Sequence, residues 1–210
     1  ISYVTDWNEL RLLIESHDAL LAHNATYELG ILRYLYKGDE DWLKSKVILD
    51  TKLLFKLYDN TQMSYGLDAL AKKFVGEPKG HKLLTDAVWD NELYPWLKKE
   101  LNAKTKAERK DETYVRERPD EKKLLKWAYS NMDVIQEVDF KAMADYAISD
   151  IDLTLKLYNF VKPHLTDKLV DDFSTLTHIC VQYRLRGVRI DLKRTNEIYD
   201  QLNPLIAGKC

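Results

Sequence analysis

A helix-rich α/β fold is the class this sequence predicts, on three observations. Two short apolar runs, around Leu20 and Ile48, each end in polar residues that open a helical pattern, as strands do at the carboxyl edge of an α/β sheet. Apolar residues elsewhere recur at helical spacing over long stretches. Seven Gly and five Pro in 210 residues are too few for an all-β chain with many tight turns.

The elements follow in chain order. Residues 5–16 predict a helix, with Thr5 as N-cap and Trp7, Leu10, Leu13 and Ile14 at helical spacing. Residues 19–22 form a short buried strand that ends at His23-Asn24. Residues 27–36 predict a helix with Leu29, Leu32 and Leu35 inward and Gly38 as terminator. Residues 47–49 form a second buried strand ending at Asp50-Thr51, followed by helices over 52–57 and 67–74 and a loop over 76–80 containing Pro78. One or two helices are then expected over 140–160, stopping before Pro163, and single helices over 165–185 and 192–202, the last ending before Pro204, with a turn at 187–191. Cys180 is expected to be buried on its helix.

Composition excludes several classes. Thirty-two basic residues oppose thirty-four acidic ones, so no global basic field advertises nucleic acid. A phosphodiester-cutting enzyme still satisfies that balance, because carboxylates at its metal site offset a basic groove. Residues 98–126 are locally basic, with eleven basic side chains against seven acidic, and read either as a solvated segment or as a backbone-contacting arm. No segment approaches the roughly 18 apolar residues that span a bilayer. The start lacks the pattern of a secretory signal and lacks an initiator Met, so the chain is expected to begin inside a longer protein. Two cysteines, Cys180 and Cys210, make neither a disulfide framework nor a four-ligand zinc site, which fits a reducing compartment.

Two places have the form of a chemical site. Asn24, Tyr27 and Glu28 stand where the first strand runs into a helix, the position at which open α/β sheets build their sites. The bland alternative makes Asn24 a helix cap and Glu28 a favourable charge in the first turn. Tyr146 and Asp150 are spaced to share one helix face, so that a phenol stands beside a carboxylate. Here the alternative is a core aromatic and a helix-start acid. His23 reads as closing the strand–helix turn, and His81, His164 and His178 show no ligand spacing. Trp89, Trp96 and Trp127 read as core rather than as stacking platforms for bases.

In order, these motifs resemble the second and third exonuclease motifs of the DnaQ-like 3′–5′ exonucleases, and most closely the proofreading domain of family-A DNA polymerases. Asn24, Tyr27 and Glu28 stand for the second motif, with Glu28 in place of the usual Asp. Tyr146 and Asp150 stand for the third. Leu49-Asp50-Thr51 resembles the family's intervening strand end, and residues 65–71 its following helix. Residues 182–191 resemble the segment leading into the polymerase thumb. The family's first motif, an Asp-x-Glu on the first strand, is absent, and neither Asp39-Glu40-Asp41 nor Asp171-Asp172 has the right position.

The resemblance implies an RNase-H-like exonuclease fold, short of its first strands and therefore helix-rich. It places an exonuclease-like domain over 1–162, with a charged insertion over 86–138, and connecting helices with the start of the thumb over 163–210. It implies two-metal hydrolysis of 3′-terminal deoxynucleotides with Mg²⁺ or Mn²⁺. Asp150 and Glu28 would hold metal, Tyr146 would orient the attacking water, and Asn24 and Tyr27 would meet the terminal nucleotide. The expected partners are the single-stranded 3′ end of a primer-template and the polymerase domain of the same parent chain, in the cytoplasm of a bacterium or phage-infected cell. Without the Asp-x-Glu, the chain alone is expected to be weak or inactive. The alternative is a non-catalytic scaffold or DNA-binding module of a polymerase. A free-standing RNA-processing exonuclease is disfavoured by residues 187–191.

Overall fold

A computed structural model describes residues 6–39, 41–93, 118, 120–187 and 189–207, with side chains through 204. Helices dominate, around a small parallel sheet. Helix α1 (Trp7–Glu15) starts at Asp6, whose carboxylate accepts from Asn8 N at 2.7 Å and Glu9 N at 3.1 Å. The cap is thus Asp6, while Thr5 lies outside the described residues. Strand β1 (Ala19–Ala22), helix α2 (Thr26–Leu35), the short helix α3 (Asp41–Lys44) and strand β2 (Val47–Asp50) follow. The two strands pair in parallel, Ala19 opposite Val47 through Ala22 opposite Asp50, as a helical connection requires. Within α2, Leu29 is buried but Leu35 is exposed, contrary to its inward expectation, because the apolar face turns away from the core by the helix's last turn.

Helix α4 (Thr51–Tyr58) leaves β2 directly, and Asp50 caps it through Lys52 N at 2.9 Å. Helix α5 (Leu67–Leu70) runs into one wide π turn (Ala71–Val75), closed by Gly76 at φ 81°, whose N–H reaches back to the Ala71 carbonyl at 2.9 Å. The expected helix over 67–74 therefore changes register halfway. Helices α6 (His81–Asp90), α7 (Glu121–Ser130) and α8 (Met132–Val138) precede the long α9 (Phe140–Val161), which Asp139 caps through Ala142 N at 2.9 Å. A 3₁₀ turn (Lys162–His164) separates α9 from α10 (Asp167–Arg186). Helix α11 (Leu192–Ala207) runs through Pro204 instead of stopping before it. Near the helix end, proline removes a single ladder bond, which the last turn tolerates.

Three apolar clusters hold these elements. Leu54, Phe55, Leu70, Leu153 and Leu157 join α4, α5 and the second half of α9. Leu84, Val88, Leu124, Ile135 and Tyr146 join α6, α7, α8 and the first half of α9. Ala25, Leu29, Leu43, Ile48 and Val181 join the sheet to α2, α3 and α10. Trp127 packs against the second cluster, as expected, while Trp96 lies outside the described residues. Helix α10 also covers the outer edge of β2: Ser174 Oγ accepts from Ile48 N at 2.8 Å, and the Lys46 carbonyl lies 3.0 Å from His178 Nε2. Cys180, expected buried, is exposed on the face of α10 turned from the sheet. Most of the basic 98–126 stretch lies outside the described residues. Its Arg118 pairs with Asp86 of α6 at 2.6 Å. Among the described residues, no helix is long and apolar enough to cross a membrane.

Candidate functional site

Asp50 organises the carboxyl end of the sheet. It is buried, and its oxygens accept from Asn24 N at 2.9 Å and Ala25 N at 2.9 Å as well as from the start of α4. One carboxylate thereby fixes the turn after β1 and the helix after β2. The turn forces Asn24 to φ 74°, a left-handed conformation that Asn tolerates better than most residues. Its side chain does not cap α2 but accepts from Lys52 Nζ at 3.1 Å. His23 closes the same turn, with Nδ1 2.8 Å from Thr51 Oγ1 and Nε2 3.0 Å from the Tyr65 carbonyl. Burial holds its imidazole below the ordinary value, against the opposing pull of Asp50.

A cleft of about 460 Å³ opens beside this turn. Its apolar wall includes Leu21, Leu67 and Ile151, and its polar groups include Glu28, Lys79 and Asp150. Glu28 enters from the first turn of α2. Its side chain opens to solvent at the rim, yet its carboxyl is held above the usual range, first because the cleft walls strip water from it and then because Asp50 is near. Asp150 enters from the middle of α9. Tyr146, one turn earlier, is buried in the second cluster and meets Asp150 through a third residue.

That residue is Lys79. Its Nζ lies 2.7 Å from Asp150 Oδ2 and donates to Tyr146 Oη at 2.8 Å. The segment that carries it is pinned twice. Lys79 N donates to Asp68 Oδ1 at 3.0 Å, and Gly80 presses on α9, where an added Cβ would lie 3.2 Å from Ser149 Oγ. Tyr129 Oη of α7 lies 3.2 Å from Tyr146 Oη. Burial, with help from the Asp150 charge, pushes the Tyr146 phenol up to about 12, so it stays protonated and keeps a proton to donate.

Of the five residues singled out by sequence, Glu28 and Asp150 line one cleft and Tyr146 stands behind Asp150. Asn24 shapes the turn at its edge. Tyr27 is 56% exposed and is not among the residues lining the cleft. Lys79 and Tyr129 escaped sequence reasoning. For Lys79 the only local signal was a lone cation between Pro78 and Gly80, and for Tyr129 there was none.

The donor set does not suit a pair of divalent cations. Asp150 Oδ2 already carries an ammonium, and among the described residues no group of three His, Cys, Asp or Glu is placed to hold a metal ion. Asp150 Oδ1, buried and without a hydrogen-bond partner among the described residues, is the oxygen left over. Comparison with protein-family models, with curated proteins and with solved structures finds no match for this chain.

Proposed function

We propose that this chain is an RNase-H-like exonuclease domain of the family-A DNA polymerase kind, whose cleft receives the 3′ end of a single DNA strand. The observation that supports this reading best is the convergence of Glu28 and Asp150, far apart in sequence, on one cleft at the carboxyl end of β1, with Tyr146 joined to Asp150 through Lys79. The apolar wall of Leu21, Leu67 and Ile151 suits a base and sugar. In this reading the domain works beside a polymerase domain of the same parent protein, in the cytoplasm of a bacterium or phage-infected cell.

The second reading, a non-catalytic module that binds the strand end without cutting it, is favoured by the Lys79–Asp150 pair. The carboxylate most needed for metal-assisted hydrolysis is already neutralised. The chain by itself is therefore expected to bind a single-stranded oligonucleotide while releasing no more mononucleotide with Mg²⁺ or Mn²⁺ than its Asp150→Ala variant. Ile151→Asp puts a negative charge on the cleft wall at an exposed position and should weaken binding by roughly tenfold, read by fluorescence anisotropy. Robust mononucleotide release that disappears in Asp150→Ala would make the chain a complete nuclease. Binding indifferent to Ile151→Asp would remove the cleft from the reading.

A further inference from the structure

The cleft holds its own cation. Lys79 Nζ is 2.7 Å from Asp150 Oδ2 at side-chain exposures of 15% and 27%, so neither charge is well solvated. The ammonium also donates to Tyr146 Oη at 2.8 Å. Two of its three N–H donors are thus committed to the two residues of one motif. The other charges around it are disposed to keep it there. Asp68 accepts the Lys79 backbone N–H with one oxygen and pairs with Lys72 through the other at 2.7 Å, while Glu28 lines the same cleft. His81, on the following helix, is held below its ordinary value chiefly by burial and adds no competing charge near neutrality.

We propose that Lys79 is the resident cation of this cleft: it balances Asp150 and fixes the Tyr146 hydroxyl without a metal ion, and it excludes a divalent cation from Asp150 while residues 76–80 stay docked on α9. The exclusion is electrostatic and steric. A divalent ion on Asp150 would share a carboxylate with an ammonium in a partly buried site, where like charges repel far more than in water. Asp150 Oδ1 is buried and has no hydrogen-bond partner among the described residues, so removing the ammonium leaves a strong oxygen donor uncompensated. The inference rests on the cleft geometry alone and holds whether or not the cleft ever cuts DNA.

The test needs no nucleic acid. Mn²⁺ binding to the full chain is followed by electron paramagnetic resonance for the wild type, Lys79→Met, Lys79→Arg and the double variant Lys79→Met with Asp150→Asn. Lys79→Met should gain an Asp150-dependent Mn²⁺ site at least roughly tenfold tighter than any in the wild type. The double variant should lose it, and Lys79→Arg should keep the wild-type exclusion. An Asp150-dependent site of equal affinity in wild type and Lys79→Met, or no gain in a folded Lys79→Met, overturns the proposal. Should Lys79→Met fail to melt cooperatively, the wild type itself decides. Its Lys79 Nζ resonance, in protein labelled with ¹⁵N-lysine, should be protected from water exchange, absent in Asp150→Asn and unmoved by millimolar Mg²⁺. Displacement of that resonance by Mg²⁺ sinks the idea.

Discussion

His23 shows how much a single turn residue carries. Its Nε2 faces the Tyr65 carbonyl at 3.0 Å, so that nitrogen holds a proton, and Nδ1 lies 2.8 Å from the Thr51 hydroxyl, which also reaches the Ala22 carbonyl at 3.2 Å. The ring thereby ties the end of β1 to the start of α4 and to Tyr65, two residues before α5. It performs this as a neutral group, because burial lowers its proton affinity below the ordinary 6.5. The sign of the pH dependence follows. The unfolded chain takes up a proton near about 6.5, while the folded protein resists until lower pH, so the stability that His23 contributes is present above that value and is lost as pH falls through the folded one. His81 is shifted the same way and adds to the acid loss of the wild type. Glu28 is shifted upward and opposes it, but does so equally in both proteins compared. Urea unfolding of the wild type should therefore weaken more steeply than that of His23→Gln between about pH 7.5 and 5.5. Parallel slopes would mean that His23 titrates alike in both states. The strand-to-helix turn holding His23 was legible from the polar run that ends an apolar strand. Its two partners were not, because Thr51 and Tyr65 are distant in sequence and only the parallel pairing brings them near.

At the scale of elements, the segment 76–80 and helix α9 act as one unit. Gly80 has a negative φ, −68°, so no left-handed turn requires glycine there, and close approach is the constraint the neighbours impose. A Cβ there would lie 3.0 Å from Leu83 Cδ1, 3.2 Å from Ser149 Oγ and 3.3 Å from Ser149 Cβ. Leu83 can swing aside at its exposed end, but Ser149 sits on the helix that carries Asp150. Gly80→Ala should cost about 1–2 kcal/mol in urea unfolding, and Ser149→Ala should recover part of it by removing one of the crowded atoms. Additive losses would show that the two positions do not press on each other. The helical character of this unit and its stop before Pro163 were legible in the apolar spacing of 140–160, but that spacing left open one helix or two, and α9 is continuous. The π turn was not legible, because a shift from the usual ladder to a wider one leaves the apolar spacing over 67–74 almost unchanged. Nor was the docking of Lys79, since a loop cation says nothing of which helix lies opposite. The Tyr146–Asp150 spacing revealed a shared face, and only packing could reveal the ammonium between them.

Across the whole molecule, α9 is the spine. Its first half enters the cluster built from α6, α7 and α8, its second half enters the cluster around α4 and α5, and the cleft lies where these meet the sheet. The described residues of the 86–138 stretch are part of this body: Leu124, Ala128 and Ile135 are fully buried, and Tyr129 reaches Tyr146. Helix α11 stands in contrast. Every described side chain from 192 to 204 is exposed, and the polar bonds it shows are local, as between Arg194 and Glu197 at 3.0 Å or from Arg194 N to Asp191 at 3.0 Å. Such a helix draws almost nothing from tertiary burial, and a lone helix of this length is marginal in water. Its amides should exchange with solvent far faster than those of α9, whose opening requires the core to open. Removing residues 190–210 should leave the free energy of unfolding unchanged within about 0.5 kcal/mol. A loss of several kcal/mol, or protection of α11 amides matching that of α9, would show that α11 belongs to the cooperative core despite its exposed face.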